Sequence, residues 1–201
     1  ERAERPFPIS GPYWVLVDGG KADMKTKWWD PASYQAVVDQ LAGKVQFVQV
    51  GALAHFHTPM RGVVNLLGKT NPRQLIRLIY HSQGVVCPIT AAAHIAGAFN
   101  KPAVVIAGGR ENPAWEWYDN QIYLHTLGQL SCCPRACHKA GLSPDDRLPC
   151  SQIIPKGSHK NTITIARCMT MIKPEHVTAA VSEFVEGRAK PAPRVIQVVP
   201  V

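Results

Sequence analysis

The chain has 201 residues, of which 46% are hydrophobic and 18% are charged. This length supports one well-buried α/β domain but not two complete ones. No apolar run reaches the roughly 18 to 20 residues that a membrane span requires. The net charge of +8 favours an anionic partner, yet the Lys and Arg residues are scattered and form no RNA-binding motif. A small anionic ligand is therefore expected rather than nucleic acid.

The start of the chain and its cysteines indicate a part of a larger protein in a reducing compartment. The chain opens with Glu1 rather than Met and lacks the layout of a signal peptide. We therefore expect further sequence upstream, joined through a Pro-rich linker at residues 1–12. The six cysteines occur without a secretory segment and favour metal ligation or free thiols over disulfides. A cytoplasmic location is expected, with any contact to a membrane being peripheral.

Strand-like and helix-like patterns alternate along most of the chain. Short apolar runs predict strands at 13–17, 45–50, 85–87 and 103–107. Helix start signals, a capping side chain or a Pro in the first turn, occur at residues 30–31, 71–72, 90 and 173–174. The alternation predicts an α/β fold with a Rossmann-like, doubly wound parallel sheet. We expect this domain to span residues 13–187 and a Pro-rich tail to follow at 188–201.

Parallel strands bring the loops at their carboxyl ends to one edge of the sheet, where such folds bind ligands. In this chain those loops are residues 18–27, 51–58, 88–94 and 107–115. These four loops are therefore the candidate ligand site.

The first of these loops carries the most specific pattern in the sequence. Lys27 is followed by Trp29 and, seven positions after the Lys, by Tyr34. In this spacing the chain resembles the C-terminal domain of family-nine glycosyltransferases, heptosyltransferase-like enzymes of the GT-B fold. The resemblance implies that Lys27 contacts the donor's phosphates, and a Lys beside helix amides suits a pyrophosphate. A solvated surface Lys is the alternative.

The strand and helix predicted around Thr90 resemble the same family's strand, turn and helix N-terminus. Thr90 and His94 stand at matching positions, and the small residues at 91–93 leave room for an anion at the backbone amides. The Asp-Thr-Gly of the family is altered, since Ile89 and Ala91 flank the Thr. Thr90 and His94 are donor-site candidates, with a structural hydrogen-bonding role as the alternative for His94.

Glycines, an arginine and two histidines occupy the other two loops. Gly108 and Gly109 permit unusual turns after the fourth predicted strand, and Arg110 has the fork geometry that binds phosphate. These three residues are donor-site candidates, while the aromatic residues after them are as readily explained by packing at the domain edge. Gly51, with His55 and His57 in the same loop, is a candidate for contact with the base or ribose.

Residues 130–168 lack sustained periodicity and are rich in cysteine. Their spacing suits a tetrahedral ion bound by four thiolates, for which zinc and iron are suitable metals. The predicted ligands of one structural ion are Cys133, Cys137, Cys150 and Cys168. Cys132 is the alternative first ligand, and free thiols are the alternative to metal binding. A heptosyltransferase group that modifies bacterial autotransporters is similar here in carrying an iron-binding cysteine finger, which implies iron.

The resemblance implies the donor-binding half of an inverting, metal-ion-independent glycosyltransferase. Such an enzyme transfers a sugar from a nucleotide diphosphate, here ADP-heptose by resemblance, to a bacterial glycan or protein. The catalytic base and the acceptor site are then expected in a separate N-terminal lobe, so no residue of this chain is assigned as the base. Two alternatives remain open: a non-catalytic nucleotide-binding or metal-stabilised interaction module, and half of a sugar-nucleotide epimerase.

Overall fold

The structure is a computed structural model that describes residues 7–135, 151–155, 162–187 and 194–199, with only the backbone for 151–155 and 162. Seven of its strands form one parallel sheet, and the other two form a small antiparallel pair. The strands are β1 (Trp14–Leu16), β2 (Phe47–Gly51), β3 (Val64–Leu67), β4 (Gly84–Pro88), β5 (Ala103–Gly108), β6 (Gln121–His125), β7 (Ser151–Pro155), β8 (Thr162–Ala166) and β9 (Arg194–Gln197). The antiparallel pair is β7 with β8.

Helices connect most of the parallel strands. They are α1 (Pro31–Gln40), α2 (Pro72–His81), α3 (Ala91–Ala98), α4 (Pro113–Glu116), α5 (Arg167–Thr170) and α6 (Pro174–Val185), and a 3₁₀ helix spans Ala22–Lys27. The predicted start signals are confirmed for α1 and α2, where Asp30 and Asn71 accept hydrogen bonds from first-turn amides and Pro follows directly. No helix in the described ranges is long and apolar enough to cross a membrane.

The strand order β3-β2-β1-β4-β5-β6-β9 confirms the predicted doubly wound parallel sheet. The chain builds outward from β1 to β3, then crosses back and places β4 on the other side of β1. The direction of winding therefore reverses between β1 and β4. At such a switch point the two following loops diverge and leave a crevice beyond the carboxyl ends of the strands.

Successive residues of each central strand point to opposite faces of the sheet and pack into two separate hydrophobic cores, one on each face. Trp14 and Leu16 of β1 pack on the face that α1 and α6 cover. Val15 of the same strand packs on the opposite face, against residues of α2 and α3. Because both faces are buried, the central strands are almost continuously apolar, which explains why the sequence revealed them clearly.

Trp29 and Tyr34, the aromatic members of the sequence motif, are core residues. Both are fully buried, and their rings meet edge to face with centroids 4.8 Å apart. The Trp29 indole donates a hydrogen bond to the carbonyl of Ile172 at 2.9 Å. These two side chains therefore anchor the chain directly after the loop that ends in Lys27. Of the three motif residues, only Lys27 is then a candidate for contact with the ligand.

Three strands of the sheet were not predicted from the sequence. They are β3, β6 and β9, of which β9 lies in the stretch that we expected to be a tail. β9 pairs in parallel with β6 and extends the sheet, so residues 194–197 belong to the domain. Thr90 also departs from the prediction, because it precedes α3 at the N-cap position without capping it through its side chain.

Loss of the α2 cap should cost about 1 kcal/mol of unfolding free energy. Asn71 and Gln74 form a reciprocal capping box, in which each side chain accepts a hydrogen bond from the other's backbone amide, at 2.8 and 2.9 Å. We expect Asn71→Ala to show this loss in chemical denaturation. Asn71→Asp keeps an acceptor oxygen and should retain most of the stability; an equal loss in both variants would contradict the capping role.

Candidate functional site

Lys27 lies at the end of the 3₁₀ helix, beyond the carboxyl ends of β1 and β4, where the switch point lies. Its ammonium donates a hydrogen bond to the carbonyl of Ile89 at 3.2 Å and lies 3.0 Å from Glu111 Oε1. Its side chain is only 21% exposed. Lys27 is thus held between the loops that follow β4 and β5, which argues against a freely solvated surface Lys.

Arg110 joins the same cluster from the loop after β5. Its Nε lies 3.3 Å from Glu111 Oε1, the oxygen that Lys27 also contacts. One terminal nitrogen of Arg110 donates to the hydroxyl of Thr26 at 3.1 Å. The two cations predicted to bind phosphate therefore converge, and a carboxylate that the sequence analysis did not single out lies between them.

The N-terminus of α3 borders this cluster through the turn that contains Ile89 and Thr90. The hydroxyl of Thr90 is buried and has no hydrogen-bond partner of normal geometry. It lies close to the thiol of Cys87. Burial raises the pKa of this thiol to about 12, and the contact with the Thr90 hydroxyl acts in the opposite direction. Cys87 is fully buried and acts as a small apolar residue of the core. Contact of the Thr90 hydroxyl with a donor stays a prediction.

His94 lies one turn into α3 and already has protein partners. Its Nδ1 is 3.0 Å from the hydroxyl of Tyr118, and its Nε2 is 3.4 Å from a carboxylate oxygen of Glu116. The imidazole is 45% exposed. These contacts supply the structural hydrogen-bonding role that was the alternative for this residue, and contact with a donor stays a prediction.

A buried Asp and His organise the loop after β2. Asp18, at the end of the first apolar run, is fully buried; its carboxylate accepts the Thr58 amide at 2.8 Å and lies 3.1 Å from His57 Nδ1. The other ring nitrogen of His57 is buried without a partner, against Gly51. A Cβ at position 51 would overlap the His57 ring. The described surroundings of Gly51 therefore give it a packing role, and contact with base or ribose stays a prediction.

The glycine pair after β5 faces the cysteine segment. Gly108 has a φ of +61°, and a Cβ there would overlap Met169. A Cβ on Gly109 would come within 2.8 Å of Cys133 Sγ and 3.2 Å of Cys168 Cβ. The absence of side chains thus lets residues 133 and 168–169 pack onto the end of β5, and contact of the two glycines with a donor stays a prediction.

Cys133 and Cys168 lie together although they are 35 positions apart in the sequence. Both are buried, at 1% and 6% exposure, whereas Cys132 is exposed. Burial, and then the neighbouring thiols of Cys132 and Cys168, raise the pKa of Cys133 to about 12. A metal bound there would have to displace that thiol proton. The geometry favours Cys133 over Cys132 as the inward-facing member of the pair.

The other two predicted metal ligands, Cys137 and Cys150, lie outside the described residues. Within the described ranges, no group of three or more His, Cys, Asp or Glu side chains is arranged to hold a metal ion. Cys87, Cys132, Cys133 and Cys168 form no disulfide with one another. The structure thus brings together two of the four predicted ligands.

The site predicted from four loops is therefore divided. One part is formed by Lys27, which contacts the turn at Ile89 and shares the Glu111 carboxylate with Arg110. The other candidates, Gly51, His94 and the glycine pair, have different neighbours. Sequence reasoning missed Glu111 and Asp18. A carboxylate that ends an apolar strand, as Asp18 does, needs a buried partner, and this was the available signal for it.

Several solved structures share this fold. TibC from enterotoxigenic E. coli H10407, an iron-containing dodecameric glycosyltransferase, matches with a TM-score of 0.61 and 14% identity over 93% of this chain and 48% of its own. A structure of TibC as a heptosyltransferase in complex with ADP-D-beta-D-heptose gives 0.62 and 16% over 92% and 48%. E. coli ADP-heptose LPS heptosyltransferase II gives 0.53 and 19% over 90% and 48%. The chain thus spans about half the length of these proteins.

Sequence comparison assigns the family. No curated protein sequence matches the chain. The family model described as glycosyltransferase family 9 (heptosyltransferase) matches residues 1–140, well over half of the chain. The match does not favour the epimerase or the non-catalytic module. This chain belongs to glycosyltransferase family 9.

Proposed function

We propose that this chain binds the nucleotide-diphosphate sugar of an inverting, heptosyltransferase-like glycosyltransferase, with ADP-heptose as the donor. The observation that carries the proposal is the convergence of Lys27 and Arg110 at the switch point, beside the N-terminus of α3. The TibC complex with ADP-D-beta-D-heptose supports the choice of donor.

The chemistry of this convergence suits a diphosphate. Lys27 supplies a point charge and Arg110 a planar fork of N–H donors, the two geometries that proteins use on phosphate oxygens. The partly buried setting strengthens both interactions relative to bulk water. The Thr90 hydroxyl and the first amides of α3 add neutral donors and the positive end of the helix dipole.

In the transfer, an acceptor hydroxyl oxygen attacks the anomeric carbon as the bond from that carbon to the diphosphate oxygen breaks. The electron pair leaves with the nucleoside diphosphate, and a base takes the hydroxyl proton. We place that base and the acceptor, a bacterial glycan or protein, in an N-terminal lobe outside this chain. Lys27 and Arg110 then stabilise the charge that develops on the leaving diphosphate, an interaction that strengthens in the transition state.

We further propose that the cysteine segment holds one structural iron or zinc ion through Cys133, Cys137, Cys150 and Cys168. Support comes from the buried neighbours Cys133 and Cys168, which have the ligand type both metals accept. The iron in TibC favours iron. Coordination would fasten the segment after β6 to the end of β5, because Gly109 packs against both of these cysteines.

Lys27→Ala tests the donor-binding role. We expect ADP affinity, measured by calorimetry on the purified chain, to fall about thirtyfold, which corresponds to roughly 2 kcal/mol for a lost charge-assisted contact. Thermal stability should change little, because Glu111 keeps its contact with Arg110 when Lys27 is removed. Lys44→Ala, an exposed Lys just before β2 at the opposite edge of the sheet, is the matched control. Unchanged ADP affinity in Lys27→Ala would remove Lys27 from the site.

A further inference from the structure

Glu111 occupies the space between the two cations of the site. Lys27 Nζ and Arg110 Nε approach the same oxygen, Oε1, at 3.0 and 3.3 Å. The three side chains are 21%, 13% and 18% exposed for Lys27, Arg110 and Glu111. The carboxylate is thus held by two partners in a crevice with limited access to water.

This arrangement solves an electrostatic problem of the ligand-free site. Two cations this close repel each other, and partial burial weakens the screening that water would give. The Glu111 carboxylate, in contact with both cations, offsets part of this repulsion. A diphosphate carries more negative charge than a carboxylate and has more acceptor oxygens, so it can satisfy both cations. A carboxylate that stayed between them would then face a like charge at contact distance.

The position of Glu111 in the chain permits its side chain to move away from Lys27 and Arg110. It lies in the irregular loop between β5 and α4, and its side chain has three rotatable bonds. We infer that the Glu111 carboxylate is an intramolecular stand-in for the donor's diphosphate: it pairs with Lys27 and Arg110 in the free protein and is displaced when the nucleotide binds. The inference rests on the proposed donor-binding function and deepens it. If Glu111 were instead a fixed counter-ion that orients the two cations, removing its charge would weaken ligand binding, whereas removing a competing carboxylate would strengthen it.

The charge-neutral variant Glu111→Gln separates these two roles. If the carboxylate competes with the ligand, Glu111→Gln should bind inorganic pyrophosphate and ADP about tenfold more tightly than the wild type, or roughly 1.4 kcal/mol. Pyrophosphate is the main probe because its binding does not depend on the base or the sugar. Glu175→Gln, which makes the same charge change at an exposed position in the first turn of α6, should leave both affinities unchanged.

Several outcomes would overturn the inference. Equal or weaker binding by Glu111→Gln, with the wild type binding normally, would make Glu111 a fixed counter-ion and leave the proposed function intact. Failure of every nucleoside diphosphate and of pyrophosphate to bind either protein would overturn the proposed function together with the inference. A structure of the wild-type chain with ADP gives an independent reading. There the distance from Lys27 Nζ to Glu111 Oε1 should exceed 4 Å, and an unbroken ion pair beside bound ADP would refute displacement.

Discussion

Replacing Cys168 by Ser should reduce the metal content of the purified chain from about one iron or zinc ion to almost none. Cys133→Ser should do the same, because both thiols lie buried at the end of β5 and serine is a poor ligand for either metal. Loss of the ion should also make the segment after β6 sensitive to protease, since coordination would supply the free energy that orders a stretch whose sequence lacks sustained apolar periodicity.

Elemental analysis measures the effect, and X-ray absorption should give metal-to-sulfur distances of about 2.3 Å. Two control variants distinguish ligand loss from general damage. Cys132→Ser alters the exposed neighbour and should keep the metal. Cys87→Ser places a hydroxyl in the buried core of β4 and should also keep it, even though it destabilises the fold. Full metal content in both Cys133→Ser and Cys168→Ser would refute the proposed ligand set.

Asp18→Ala should lower the free energy of unfolding by about 3 kcal/mol. The substitution removes the buried acceptor of the Thr58 amide and of His57, so these donors would stay buried without partners. For a domain of this size the loss corresponds to a fall in Tm of roughly 10 °C. Thermal and chemical denaturation measure it.

The matched control for this prediction is Asp39→Ala. Asp39 is exposed on α1 and accepts a hydrogen bond from Gln35, so its loss should change stability by no more than about 0.5 kcal/mol. If Asp18→Ala were as well tolerated as Asp39→Ala, the Asp18 and His57 pair would not hold the loop after β2 in place.

The central part of the fold could be predicted from sequence because its signals are local. β1, β2, β4 and β5 are buried on both faces and appear as apolar runs, while Pro and capping residues mark the helix starts. The missed strands β3, β6 and β9 contain polar residues such as Asn65, Gln121 and Arg194, which interrupt the apolar pattern. They are strands because of parallel pairing with partners that are distant in sequence, which local patterns do not encode.

For the candidate site, the sequence pointed to individual residues at strand ends but not to their partners. Spacing and resemblance identified Lys27, Thr90 and Arg110, which lie at strand ends that the topology brings together. The partners of these residues depend on contacts across many positions: Arg110 reaches Thr26, and Lys27 reaches Glu111, each 84 positions away. The glycine pair shows the same limit, since Gly109 is small because of Cys133 and Cys168 and not because of any residue near it in sequence.

The last strand has a practical consequence for work on shortened chains. β9 occupies one border of the sheet and supplies the backbone partners of β6. A chain cut after Gly187, where the sequence suggests that the domain ends, would leave the amides and carbonyls on that side of β6 unsatisfied. Such an unpaired strand edge, with the apolar residues Ile122 and Leu124 beside it, is a template for pairing with the strands of other molecules. Truncated versions that stop there should aggregate, and versions that retain Gln197 should stay dispersed.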